Sequence, residues 1–121
     1  MSVELPAGSA SIAAARRAAR DFARSCGANA QDLALAASEA VTNAVVHGYR
    51  GDQDGPIELV GYREGDHCVL EVADHGVGMR PHPEVHGLGM GLPVISTVAD
   101  SVEILSLDPG TAIRMRFRIP A

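Results

Sequence analysis

The chain is 121 residues long, enough for one domain with a real core and too short for two ordinary ones, and its formal net charge of −5 argues against direct nucleic-acid binding. All ten basic residues are arginine, so a Walker A phosphate loop and Schiff-base chemistry are excluded, and the lack of tryptophan with few other aromatics argues against an aromatic base-stacking platform. No run approaches the roughly eighteen apolar residues of a membrane span, and the opening MSVELPAGSA lacks the basic-then-apolar order of a secretory signal, so a cytoplasmic protein with no membrane partner is expected.

Val3 to Leu5 predicts a short opening strand. Ile12, Ala15, Ala19, Phe22 and Cys26 then recur at spacings of three and four, the stripe of an amphipathic helix that Ser9 or Ser11 can cap and Gly27 can end. Arg16, Arg20 and Arg24 form an i, i+4 row away from that stripe. With Arg17 they make a basic cluster that reads either as a local partner surface or as a solvated face. Cys26 and Cys68 have no C-x-x-C spacing, which predicts two reduced, buried thiols and neither a disulfide framework nor a thiolate metal site.

A second helix is expected from Asn29, its N-cap, to near Gly48, with Leu33, Ala37, Val41 and Val45 on the core side. After the polar loop YRGDQDGP, the segments IELVGYR and HCVLEVA read as a hairpin across Glu64-Gly65-Asp66. Asp74 stands where that hairpin stops, and a loop rich in glycine and proline runs on to Gly91. Leu92 to Ala99 suits a short helix with Pro93 in its first turn, where the missing N–H has no intrahelical role. SVEILSL and TAIRMRFRI predict a second hairpin across Asp108-Pro109-Gly110. Its last strand alternates Ile113, Met115, Phe117 and Ile119 with Arg114, Arg116 and Arg118, one face packed and one wet. The fold class is therefore α+β: a two-layer sandwich with a mainly antiparallel, mixed sheet, helices on one face, and residues 1–121 as a single domain.

Three stretches carry chemistry. In EAVTNAVVHG, Leu35, Glu39, Asn43 and His47 share a row beside the core stripe. A carboxylate and a carboxamide one turn apart suit Mg²⁺, or a proton acceptor beside a metal ligand; the alternative is an ordinary solvated helix edge. His47 is better suited to the helix C-terminus than to a metal. In DHGVG, Asp74 ends a strand and can accept hydrogen bonds from an exocyclic amine, while Gly76 and Gly78 let backbone approach a flat ligand; an Asx-type turn is the alternative. GLGMG, Gly87 to Gly91, precedes a helix and offers backbone N–H groups to phosphate. It is not a dinucleotide fingerprint, because G-x-G-x-x-G requires glycine where Leu92 stands and the flanking strands read as hairpins. His82 and His86 have H-x-x-x-H spacing, but Pro81 and Pro83 argue against an aligning helix and favour lid residues over a zinc site.

Together and in this order, these motifs resemble the ATP-binding (Bergerat) domain of the GHKL superfamily, which includes gyrase and histidine kinases, over most of the chain. Glu39 to Gly48 looks like the N box, Asp74 to Gly78 and Gly87 to Gly91 like the two glycine boxes, and Gly110-Thr111 like the late Gly-Thr pair. EAVTNAVVHGY is most similar to the anti-sigma factor serine kinases of bacterial partner-switching systems. The resemblance implies ATP and Mg²⁺ as ligands, with Asn43 on the metal, Glu39 as general base, Asp74 receiving the adenine amine and Thr111 near the adenine. It also implies that Gly76, Gly78 and the backbone of Gly87, Leu88, Gly89, Met90, Gly91 and Leu92 line the nucleotide. Arg16 and Arg20 would meet protein partners, a sigma factor and an anti-sigma-factor antagonist, and a homodimer is compatible with the family. Only MRPHPEVH separates the glycine boxes, with Arg80 as its one certain cation, so a non-catalytic regulator that switches partners by nucleotide state stands as the alternative to a kinase.

Overall fold

A computed structural model describes residues 1–6, 8–45, 56–75, 88–107 and 110–120, with backbone alone for 88–92. In chain order the elements are β1 (Ser2–Leu5), α1 (Ala10–Cys26), α2 (Ala30–Asn43), β2 (Ile57–Glu64), β3 (His67–Asp74), α3 (Leu88–Val98), β4 (Ser101–Ser106) and β5 (Thr111–Arg118).

Small side chains set how the helices meet. Ala15, Ala19 and Ala23 of α1 and Ala36, Ala37 and Ala40 of α2 are fully buried, so the two helices pack closely with little side-chain bulk between them. α1 ends at Gly27, whose φ of 93° is the left-handed cap that glycine adopts without strain, and its N–H reaches the carbonyl of Ala23. The Ser11 hydroxyl donates to the Pro6 carbonyl, whereas Ser9 occupies the N-cap position without a side-chain cap bond. At the start of α2 the Asn29 side chain accepts from the N–H of Asp32 at 3.0 Å, the N-cap expected from the sequence.

The strands form one five-stranded sheet in the order β1-β2-β3-β5-β4. Every pairing among the described strands is antiparallel, so the sheet is the mainly antiparallel one expected. Both predicted hairpins form, and β5 slots between β3 and β4. Its pattern explains that central place, because Ile113, Met115 and Phe117 are buried on the helix side, in register with Val72, Leu70 and Cys68 of β3. Each large side chain buried there contributes about 1.5–3 kcal/mol. Gly61 lies on the same face, where a Cβ would stand 3.0 Å from the Phe22 ring, so its bareness makes room for the main aromatic anchor of α1.

The face turned from the helices is polar but wired rather than simply wet. Glu71 accepts from the Tyr62 hydroxyl at 2.7 Å and from Arg114 Nε at 2.9 Å, and Arg116 bridges Glu64 at 3.0 Å and Glu103. Partial burial pushes the Glu71 carboxyl up. The Tyr62 and Arg114 hydrogen bonds outweigh that and leave it below an ordinary glutamate, while the same bond to Glu71 raises the Tyr62 phenol.

Two expectations are corrected. α3 begins at Leu88, four residues before the expected Leu92, so much of the GLGMG stretch is the first turn of a helix and Pro93 sits inside it. Proline there removes one N–H that would have reached the Gly89 carbonyl, a loss the helix tolerates near its start. Cys26 and Cys68 are not free thiols: they form a disulfide with Cα atoms 6.4 Å apart. The end of α1 lies against the start of β3, a juxtaposition that cysteine spacing along the chain does not reveal.

Candidate functional site

Three element ends carry the motif residues. α2 delivers Glu39, half-buried, and one turn later Asn43, only 5% exposed at the last helical position. Residues 44–45 continue as a π-type turn, and the Ala44 N–H is shared between the carbonyls of Ala40 and Val41. Among the described residues the Nδ2 of Asn43 has no hydrogen-bond partner, a cost of roughly 1–3 kcal/mol for a buried donor. Turning the amide exchanges nitrogen and oxygen, so the unsatisfied position can present either a donor or the oxygen a hard cation prefers. These residues fit Mg²⁺.

β3 and β5 deliver the second group. Asp74 closes β3 and Thr111 opens β5; the two stand opposite each other in register and each is 1% exposed. Gly110, with φ of 111°, precedes them so tightly that a Cβ would fall 2.0 Å from the Asp74 carbonyl oxygen and 2.6 Å from the Cα of His75. Only glycine suits that position. A buried carboxylate and a buried hydroxyl at one sheet end form a polar floor suited to an amine-bearing ring. His75, next in the chain, meets Glu58 at 2.8 Å on the outer side of the sheet. That brace was legible in principle, since the Gly65-Asp66 turn fixes the β2–β3 register and sets Glu58 opposite Ala73, two residues before His75.

α3 supplies the third end. Leu88, Gly89, Met90, Gly91 and Leu92 are its first residues, and the early N–H groups of a helix have no intrahelical acceptor. α3 packs on α2, the helix that carries Glu39 and Asn43. Gly76, Gly78 and Gly87, with His47, Arg80, His82 and His86, lie outside the described residues. Arg16 is exposed and Arg20 half-buried on α1. Among the described residues no three His, Cys, Asp or Glu side chains converge as a metal cluster, and no helix is long and apolar enough to cross a membrane.

Residues 5–117 match the family model described as a histidine kinase-like ATPase domain. The anti-sigma F factor of Clostridium perfringens is 35% identical over 97 residues, covering 70% of this chain and 69% of that protein. The anti-sigma F factor of Anoxybacillus flavithermus is 31% identical over 96 residues, covering 69% and 66%. Among solved structures, the RsbU and RsbW domains of a Mycobacterium tuberculosis protein superpose with a TM-score of 0.75 at 25% identity; all of this chain is covered, but it spans 34% of that chain. The histidine kinase AdeS of Acinetobacter baumannii shares the fold, with a TM-score of 0.59 at 9% identity, over 100% of this chain and 68% of that one.

Proposed function

The chain belongs to the histidine kinase-like ATPase family, and on that premise we propose that it binds Mg-ATP and acts as an anti-sigma factor and serine protein kinase, sequestering a sigma factor and phosphorylating its antagonist. The observation that carries the site is the buried carboxamide of Asn43 one turn beyond Glu39, its Nδ2 without a partner among the described residues. The similarity to anti-sigma F factors and to an RsbW domain supports the anti-sigma role.

In this reading Asn43 holds the magnesium, Asp74 accepts from the adenine amine beside Thr111, and the first N–H groups of α3 face the phosphates, helped by the positive end of the helix. Bound Mg²⁺ neutralises charge on the phosphates. Glu39 takes the proton from a serine Oγ as that oxygen forms its bond to the γ-phosphorus and the bond to the ADP oxygen breaks. Arg16 and Arg20 on α1 provide the partner surface.

Calorimetry of the folded protein with ATP and Mg²⁺ should give saturable heat that a chelator abolishes. Silence at millimolar nucleotide would sink the reading. Glu39→Ala should keep binding while lowering transfer of labelled γ-phosphate to a serine of the antagonist by about 100-fold or more; undiminished transfer removes Glu39 as base. Asp74→Ala should erase the preference for ATP over GTP. The short MRPHPEVH stretch, with Arg80 its single arginine, favours a second reading, a nucleotide-switched regulator without transfer. Mg-ATP binding with no transfer by wild type would select it.

A further inference from the structure

α1 is the element that carries the arginine row; it packs closely on α2 and approaches the strands at fewer points. Its buried apolar residues are Ala15, Ala19 and Ala23, which bring little side-chain area, and a single large one, Phe22. The helix then ends on Cys26, whose sulfur is bonded to Cys68 at the start of β3. That bond ties the α1–α2 corner to the central part of the sheet. Its two ends differ: Cys68 is completely buried, whereas Cys26 is half-buried beside the exposed Gly27.

We propose that Cys26–Cys68 is a reversible dithiol–disulfide site through which thiol reagents loosen or fix the C-terminal half of α1. An external dithiol attacks the accessible Cys26 sulfur, forming a mixed disulfide and releasing Cys68 as thiolate, which takes up a proton. The second thiolate of the reagent then attacks its own sulfur in the mixed disulfide, freeing Cys26; the protein gains two electrons and two protons and the dithiol becomes a disulfide. A small-molecule disulfide reverses the exchange, and the two cysteines, held in one place by the fold, re-close on each other rather than on a second chain. The consequence for partners rests on the role given above to Arg16 and Arg20; the redox site does not.

The test uses the full chain without nucleotide or partner, so its outcome is independent of the kinase reading. Native protein is equilibrated with graded ratios of reduced to oxidised dithiothreitol, its thiols are trapped with a maleimide-bearing polymer, and amide hydrogen exchange is followed in parallel. Two thiols should appear together under native conditions, and amides of residues 20–26 should exchange at least tenfold faster in the reduced form at short times over which β3 and β5 stay protected in both states. Oxidised glutathione should restore the slow exchange. Cys26→Ser, which leaves the buried Cys68 in place, should exchange like the reduced form with or without reagent. A bond that yields only after urea is added, two free thiols in the oxidised sample, or equal α1 exchange in both states would overturn the proposal.

Discussion

Asn43 shows what one residue can cost the fold and contribute to a ligand. Its carboxamide is buried and its nitrogen has no partner among the described residues, a penalty of roughly 1–3 kcal/mol that a cation or nucleotide atom could relieve. Asn43→Ala removes that penalty and improves helix propensity, at the expense of a small cavity. Urea unfolding without ligand should therefore show stability equal to wild type within about 1 kcal/mol, or higher, while calorimetry shows Mg-ATP affinity lost. A variant that loses both has a structural Asn43, and the role given to it fails. Gly110 is the opposite case. With φ of 111° and a Cβ position only 2.0 Å from the Asp74 carbonyl oxygen, Gly110→Ala must move backbone at the floor of the site. It should cost upwards of about 2 kcal/mol in urea unfolding. Gly8→Ala is the matched control, since among the described residues nothing lies within 4 Å of its Cβ position, and it should stay within about 0.5 kcal/mol of wild type.

At the scale of elements, periodicity made most of the fold legible. The stripe Ala15, Ala19 and Phe22 marks α1, Leu33, Ala37 and Val41 mark α2, and the alternation of Ile113 to Phe117 marks β5 with its buried face. Two things escaped for physical reasons. Glycine and proline read locally as breakers, so the helical turn at Leu88 to Gly91 looked like loop; helix capture there depends on packing against α2. Strand order and the cystine are contacts between distant segments, and no local pattern encodes them. Nor did alternation reveal that Arg114 and Arg116 are engaged by glutamates on three neighbouring strands. That ladder has a pH signature. Because the Glu71 carboxyl sits below an ordinary glutamate in the folded chain, its contribution is present above the unfolded value, near 4.5, and is lost as pH falls through the folded one. Unfolding free energy measured from about pH 6 down to about pH 3 should fall more steeply in wild type than in Glu71→Gln. Equal acid slopes would show that the ladder is only a surface decoration.

Across the whole molecule, the cystine and the candidate site lie at opposite ends of the same strand. β3 runs from His67 to Asp74, so Cys68 and Asp74 are separated by six residues of extended chain, about 20 Å. α2 likewise begins just past Cys26 and carries Asn43 about 20 Å along its own axis from its first turn. Reduction should therefore separate stability from ligand affinity. The bond closes a segment with a sequence separation of 42, and the chain-entropy account gives such a loop about 4 kcal/mol of stabilisation, with about 2–4 kcal/mol the usual yield. The reduced protein should thus lose about 2–4 kcal/mol in urea unfolding, with its midpoint lowered and its slope somewhat steeper, since the unfolded chain without the cross-link exposes more surface. Mg-ATP affinity, measured by calorimetry in the same reducing buffer, should stay within about twofold, because that 20 Å gap lies beyond the roughly 10 Å over which packing changes usually couple. A reduced form of undiminished stability would mean that alanine packing and Phe22 alone hold α1 in place. A reduced form that stays folded yet loses nucleotide would mean that α2 transmits the state of its N-terminal corner to Asn43, coupling the two ends of the molecule.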